Sequence, residues 1–277
     1  MSWRLVIDMR KVIMFIFLLQ PLLLSAQEPL DFMDIMNWKL ELPSGYKASD
    51  WKLSNFRMDR FAKPFFYLDS IDGALVMEAY PVKNTKSKAK YTRSTLREQM
   101  QPGSSDVNWT MKEGGTLEAE LQVTRMSQEE GKYHKTILFQ LDGRTSEKQT
   151  QKLGLKKPFS IPLIKVIWEK ERIKIQRKVL KNESTVGNEL FSKGAWEEDS
   201  PRYSNKKVGF DQFKVKISAK KGKIEIRIAD ESPIVYRDTS VKQWYFENYF
   251  TAGNYLQSKS ENAHSTVKYY YLKVTHD

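Results

Sequence analysis

Apolar and polar residues alternate with a period of two in run after run of this chain, and no long segment carries apolar residues at helical spacing. Trp38-Lys39-Leu40-Glu41-Leu42 sets the pattern and stops at Pro43; residues 74–80, 116–123, 135–141, 164–175, 213–217, 224–228 and 267–274 repeat it. At least eight strands follow from those runs. Lys220-Lys221-Gly222-Lys223, between two of them, predicts a hairpin turn with antiparallel neighbours. No fixed-period repeat and no Pro/Gly/Ser-rich linker separates the strands. The expected architecture is therefore all-β, a two-sheet antiparallel sandwich of jelly-roll type with a concave groove on one face. Residues 183–205, rich in glycine, serine and charge, are expected as one long loop bordering that groove.

The first residues have a different character. Arg10 and Lys11 precede an apolar run from Val12 to Leu24, and Ser25-Ala26 supplies small residues before a cut, the pattern of a secretory signal over residues 1–26. The run is interrupted by Gln20 and Pro21 and is short for a membrane span. The reading is a protein exported to the periplasm, cell surface or medium, with residues 27–277 as one domain and no membrane span after cleavage. Cysteine is absent, which removes disulfides, thiolate metal sites and cysteine nucleophiles together. The fold must then rest on its core, and a domain of this length buries enough surface for that.

The formal charge is +12, and loss of Arg4, Arg10, Lys11 and Asp8 with the leader leaves +10. An anionic partner is expected. The basic residues are dispersed along strands, as at Lys214, Lys216, Lys220, Lys221 and Lys223, with no recognition-helix or zinc-finger pattern, and export argues further against nucleic acid. Lys83, Lys86, Lys88, Lys90 and Arg93 form a denser cluster at the entry to a polar strand. It suits either a groove rim that attracts anions or plain solubility.

Three short segments carry the chemistry. Residues two apart on a strand share a face, so Arg93, Thr95 and Arg97 form one row, Leu138, Gln140 and Asp142 a second, and Tyr249, Thr251, Gly253, Tyr255 and Gln257 a third. Arginine clamps a carboxylate, glutamine donates an amide hydrogen to it, and tyrosine carries a proton. Taken singly, each has an ordinary explanation: a strand tyrosine that packs, an arginine paired with a neighbouring acid such as Glu98, a satisfied glutamine. Together they suit acid–base work on a uronic acid.

With these motifs the chain resembles polysaccharide lyase family 7, the alginate lyases of β-jelly-roll fold. Asn37-Trp38-Lys39-Leu40-Glu41-Leu42-Pro43 is similar to that family's W-K-L-x-L-P strand. Arg93 to Glu98 looks like R-[ST]-E-L-R-E, Gln140-Leu141-Asp142 stands at the place of Q-[IV]-H, and Tyr249 to Gln257 resembles Y-F-K-A-G-x-Y-x-Q. Three positions depart: Thr95 replaces glutamate, Thr251 replaces lysine, and Asp142 replaces histidine. The resemblance implies β-elimination, in which the C6 carboxylate is neutralised, the C5 proton is removed and the C4 oxygen leaves. It implies Arg97 and Gln140 as neutralisers and Tyr255 as the proton carrier, with Arg93, Thr251, Gln257, Tyr249 and Lys90 around the bound sugar and Asp142 at the histidine's place among the catalytic groups.

A tyrosine phenol titrates near 10 in water, so a tyrosine base needs a nearby cation, for which Arg97 is expected. An ionised Asp142 would repel the substrate, so it must be protonated, paired with Arg93, Arg144 or His134, or given another task. In guluronate the C5 proton and the C4 oxygen lie on opposite faces; in mannuronate and glucuronate they lie on the same face, where one tyrosine serves both. Losing the histidine therefore favours a mannuronate- or glucuronate-type polymer. His134 and His264 are the histidines that could substitute, with His276 set aside at the chain's extreme end. No metal motif is visible and no cofactor is expected, because arginine can supply the positive charge. A monomer acting on an anionic polysaccharide is the expectation. A noncatalytic glycan-binding sandwich using Trp244 and Tyr245 is the alternative, and a hydrolase a third reading, although no spacing marks a carboxylate pair.

Overall fold

The computed structural model describes residues 37–43, 64–81 and 91–277, all within one compact unit, Phe32–Asp277. The leader at 1–26 and the cluster lysines Lys83, Lys86, Lys88 and Lys90 lie outside the described residues. Two antiparallel sheets carry the fold, as the alternation predicts. One has nine strands, with the path Trp38–Glu41, Arg93–Glu98, Glu247–Leu256, Thr136–Arg144, Ser160–Glu169, Arg172–Leu180 and Trp196–Glu198. The short strands Trp109–Thr110 and Arg202–Tyr203 pair at its margins. The other runs Ile234–Tyr236, Lys223–Ile228, Phe213–Lys220, Gly115–Met126, Ser265–Thr275, Leu75–Ala79 and Phe66–Leu68. Among the described residues no helix is long and apolar enough to cross a membrane.

The alternation becomes burial directly. Gly115–Met126 alternates buried and half-buried residues along nearly its whole length, and Phe213–Lys220 alternates buried residues with exposed and half-buried ones. Leu96, Phe139, Leu141, Phe250 and Ala252 from the larger sheet meet Leu117, Leu121, Val267 and Tyr269 from the smaller one, all fully buried. Polar groups that cross the core are paired. The Tyr269 hydroxyl donates to the carbonyls of Leu138 and Gly253, and the Asn254 amide donates to those of Met77 and Ser265. The predicted hairpin is present between Phe213–Lys220 and Lys223–Ile228.

Two expectations need correction. Residues 164–175 are not one strand: the chain reverses at Lys170 and Glu171, both at positive φ, and its halves pair with each other. No glycine or asparagine marks that turn. Residues 183–205 are not one loop either. They contain 3-10 turns at Gly187–Phe191 and Lys193–Ala195 and an edge strand at Trp196–Glu198, anchored by the buried Trp196, whose indole donates to the Leu190 carbonyl.

His276 has a structural task. One ring nitrogen meets the Gly114 carbonyl at 2.9 Å and the other meets Glu98 Oε1 at 2.6 Å, while Glu98 Oε2 accepts from the Trp109 indole and the Phe250 amide. A carbonyl only accepts, so with an ionised Glu98 both ring nitrogens donate and the ring is imidazolium. Burial pulls the His276 pKa down, but the Glu98 hydrogen bond and charge outweigh it and leave it raised. A raised histidine contributes stability that is complete below its unfolded value near 6.5 and lost as pH rises through its folded value. His276→Ala is expected to cost about 3 kcal/mol at pH 6. The gap to wild type should narrow by pH 9 in urea titrations at the two pH values; an unchanged gap would remove the charged pair from the account.

Candidate active site

The outward face of the larger sheet is read strand by strand from its register. Lys39, Arg97, Thr251, Gln140, Lys165 and Gln176 stand opposite one another across six adjacent strands. Arg93, Tyr255, Ile137, Ile167 and Lys174 form a parallel row. Between the two lie Glu41, Thr95 and Gly253. The floor between the Arg97 row and the Tyr255 row is thus made of a threonine and a glycine. It is a shallow seat bounded by longer side chains.

Gly253 is required there. Its φ is +152°, and a Cβ would lie 2.5 Å from the Ser94 carbonyl oxygen and 2.6 Å from Thr95 Cα. The strand also slips by one residue after Ala252, so that Tyr255 faces Ile137 where an unbroken ladder would give it Thr136. Such a slip re-aims the side chains beyond it. Thr95 is 3% exposed and its hydroxyl has no hydrogen-bond partner.

Arg97 is 5% exposed and differs from the free clamp expected of it. Nη1 donates to the Glu98 carbonyl at 2.6 Å; Nη2 donates to the Ser105 carbonyl at 2.9 Å and to Asn108 Oδ1 at 2.8 Å. Its guanidinium carbon lies 3.9 Å from the centre of the Tyr249 ring. Burial lowers its pKa, and among the described residues no carboxylate comes within ion-pair distance of it. Glu98, the acid next to it in sequence, faces the core instead. None of the motifs singled out in the sequence includes Asn108; its amide is held between Arg97 and Glu247, where it fixes the guanidinium.

Arg93, rather than Arg97, is the cation at Tyr255. Its guanidinium carbon is 5.5 Å from the centre of that ring, and Nη2 pairs with Glu41 at 3.0 Å. Tyr91 packs edge-on against the same ring at 6.4 Å. Tyr255 is half-buried, so the seat can reach it. Gln257 turns its amide to the Tyr255 carbonyl at 3.0 Å, which commits one donor of this expected substrate contact to the backbone. Tyr249 is half-buried between Arg97 and Asp142, and its burial, with the Asp142 charge, pushes its hydroxyl pKa up despite Arg97.

Asp142 pairs with none of the three cations expected for it. Oδ1 accepts from Gln140 Nε2 at 3.3 Å and Oδ2 from the Thr251 hydroxyl at 3.2 Å. Arg93 is held by Glu41, and Arg144 by Asp106 and Glu147. Burial raises the Asp142 pKa to about 7, against the lowering effect of the Thr251 hydrogen bond. His134 lies before the Thr136–Arg144 strand, outside the rows. His264 lies before Ser265–Thr275, its pKa lowered by burial and by Arg125. Neither enters the floor between Arg97 and Tyr255. Trp244 is wholly buried, with its ring against Gly143 and its indole on Asn248, so it cannot serve as a sugar platform; Tyr245 is 60% exposed. Among the described residues no group of three or more histidines or carboxylates could hold a metal ion.

The face offers a buried cation, an amide, a half-buried phenol and a shallow seat between them. A family model described as alginate lyase matches residues 33–276. Alginate lyase A1-II', a member of polysaccharide lyase family 7, shares the fold with a TM-score of 0.67 and 23% identity, over 90% of this chain and 98% of that one. The alginate lyase PA1167 from Pseudomonas aeruginosa gives 0.60 and 18% over 88% and 100% of the two chains, and that of Klebsiella pneumoniae 0.61 and 18% over 90% and 98%. No match was found among curated protein sequences. At these identities the solved structures establish the fold, while the family match spans nearly the whole described chain. The chain belongs to the alginate lyase family and is a polysaccharide lyase of the β-jelly-roll, family 7 type.

Proposed function

We propose that the groove holds a uronic-acid polymer of mannuronate or glucuronate type and cleaves it by β-elimination, with Tyr255 as the single proton carrier. The observation that carries this is the buried Arg97 with no carboxylate of the described residues in contact, in one cross-strand row with Gln140 and across the Thr95–Gly253 seat from Tyr255. A buried charge without a counterion is costly, and a substrate carboxylate lowers that cost. The fixed cation and the Gln140 amide then stabilise the negative charge that grows on the carboxylate as the C5 proton leaves, by about 3 kcal/mol per well-placed donor. Tyr255, as phenolate, takes the C5 proton; the C4–O bond breaks as C4=C5 forms; the phenol returns that proton to the departing oxygen. The atoms balance without a second acid when proton and oxygen share a face. That the cross-strand rows contain no histidine supports this choice of polymer.

A doubly substituted form of A1-II' has been solved in complex with substrate and another form with product, which supports an oligosaccharide in the equivalent groove here. The leader-like residues 1–26 support export of the enzyme to where such polymers lie. Ultraviolet absorbance of the unsaturated ends, followed on separate polymannuronate, glucuronan and polyguluronate, tests the proposal. A rate on one of the first two at least about tenfold above that on polyguluronate is expected. A preference for polyguluronate would sink the single-tyrosine scheme.

A further inference from the structure

We propose that Asp142 works as a neutral carboxylic acid, donating a hydrogen bond to the carboxylate of the bound sugar beside Gln140, so that the groove turns over its substrate only while Asp142 keeps its proton. This deepens the lyase reading and rests on it for the identity of the anion.

The geometry leaves the acid little else to do. Asp142 stands in the groove-facing row, 7% exposed, and both its contacts are neutral donors, Gln140 and Thr251. Each neighbouring element withholds a counterion. On Glu247–Leu256, Tyr249 faces it with a neutral hydroxyl. On Arg93–Glu98, Arg97 lies across Tyr249 and Arg93 is bound by Glu41. On Trp38–Glu41, Glu41 adds negative charge that disfavours ionisation of Asp142; the charges of Arg97 and Arg93 act the other way without pairing with it, and burial outweighs them. On Ser160–Glu169 the opposing residue is Pro162, which has neither charge nor donor, and Lys165 is held by Glu198. On Asp142's own strand, Arg144 is engaged with Asp106 and Glu147.

An ionised Asp142 would draw the Gln140 amide onto itself and meet the sugar carboxylate as a like charge. Two carboxylates sharing one site do not both ionise. In its acid form Asp142 has one hydroxyl donor that can face the seat, while its oxygens still accept from Gln140 and Thr251. The proton stays on Asp142 throughout, so the elimination balances as before. Aspartate in place of histidine thereby exchanges a proton-transfer group for an uncharged donor to the carboxylate.

The test compares kcat/KM on a mannuronate oligomer across pH 5–9 for wild type, Asp142→Asn and Asp142→Ala. Divided by the rate of Asp142→Asn, which shares whatever pH dependence the Tyr255 step brings, the wild-type rate should lose about tenfold per pH unit above the point where Asp142 ionises. At pH 5 Asp142→Asn, a permanent uncharged donor, should keep activity within about tenfold of wild type, while Asp142→Ala should fall about a hundredfold there and approach wild type as Asp142 ionises. An inactive but folded Asp142→Asn, or the same pH profile in wild type and Asp142→Asn, would overturn the proposal. Should wild type release no unsaturated product from any polymer, the lyase reading fails, and carbon-13 titration of the Asp142 carboxyl with and without the oligomer still decides this one. A titration midpoint that rises on binding supports the neutral acid; one that stays or falls overturns it.

Discussion

Tyr255→Phe is expected to reduce turnover by about a thousandfold or more while leaving the fold and oligosaccharide binding nearly intact. The substitution removes one hydroxyl and keeps the ring. The ring makes the contacts that hold the residue, with Arg93 at 5.5 Å and Tyr91 at 6.4 Å, so its packing should not change. The hydroxyl, by contrast, performs both proton transfers in the scheme, and no histidine stands in the rows to take over either. In the same scheme binding rests on Arg97 and Gln140, in a different row of the sheet, and should shift less than about threefold because no charge at the carboxylate is touched. Product formation and oligomer affinity measured on the same preparation separate the two. A variant keeping more than about a tenth of wild-type turnover would mean that another group moves the proton.

Gly253→Ala should be the most damaging single-methyl change in the groove. The new Cβ would meet the Ser94 carbonyl oxygen at 2.5 Å and Thr95 Cα at 2.6 Å, and both belong to backbone that cannot swing aside. A φ of +152° adds strain for any residue with a side chain. Relief requires parting the Glu247–Leu256 strand from Arg93–Glu98, which moves Tyr255 and Thr251 from Arg93 and Arg97 and disturbs the Tyr269 bond to the Gly253 carbonyl. A loss of about 4 kcal/mol or more is expected, with activity reduced even at temperatures where the variant stays folded. Gly131→Ala is the control: a positive φ with nothing within 4 Å, where about 1 kcal/mol is expected. Equal losses in the two variants, read by urea denaturation, would refute the close-approach argument.

How far the chain could be read in advance follows from what a strand encodes. Parity along one strand is local, so the faces of Arg93, Thr95 and Arg97, of Gln140 and Asp142, and of Tyr249, Thr251 and Gly253 were legible from spacing alone. Register between strands is not local. That Arg97 meets Thr251 and Arg93 meets Tyr255 depends on how distant segments align, and so the cation assigned to the tyrosine was four residues off. The slip after Ala252 carries no marker beyond Gly253, and the reversal at Lys170-Glu171 uses residues that rarely take positive φ. Glu98 looked like a partner for Arg97 because the two are adjacent, yet adjacency on a strand places side chains on opposite faces. Its actual partner, His276, is 178 positions away in the sequence. The resemblance to the lyase family gave the motifs their roles, while the lack of an ion pair to Asp142 among the described residues emerged only from the packing of four neighbouring strands.

The central claim is tested most directly by the mass of the fragments released from polymannuronate or glucuronan. Elimination leaves a new non-reducing end with a C4=C5 double bond, one water lighter than the end hydrolysis would leave. Fragments of that lighter mass, released by wild type and absent with Tyr255→Phe, are the predicted result. Fully hydrated fragments, or lighter ones still released at wild-type rate by Tyr255→Phe, would contradict it.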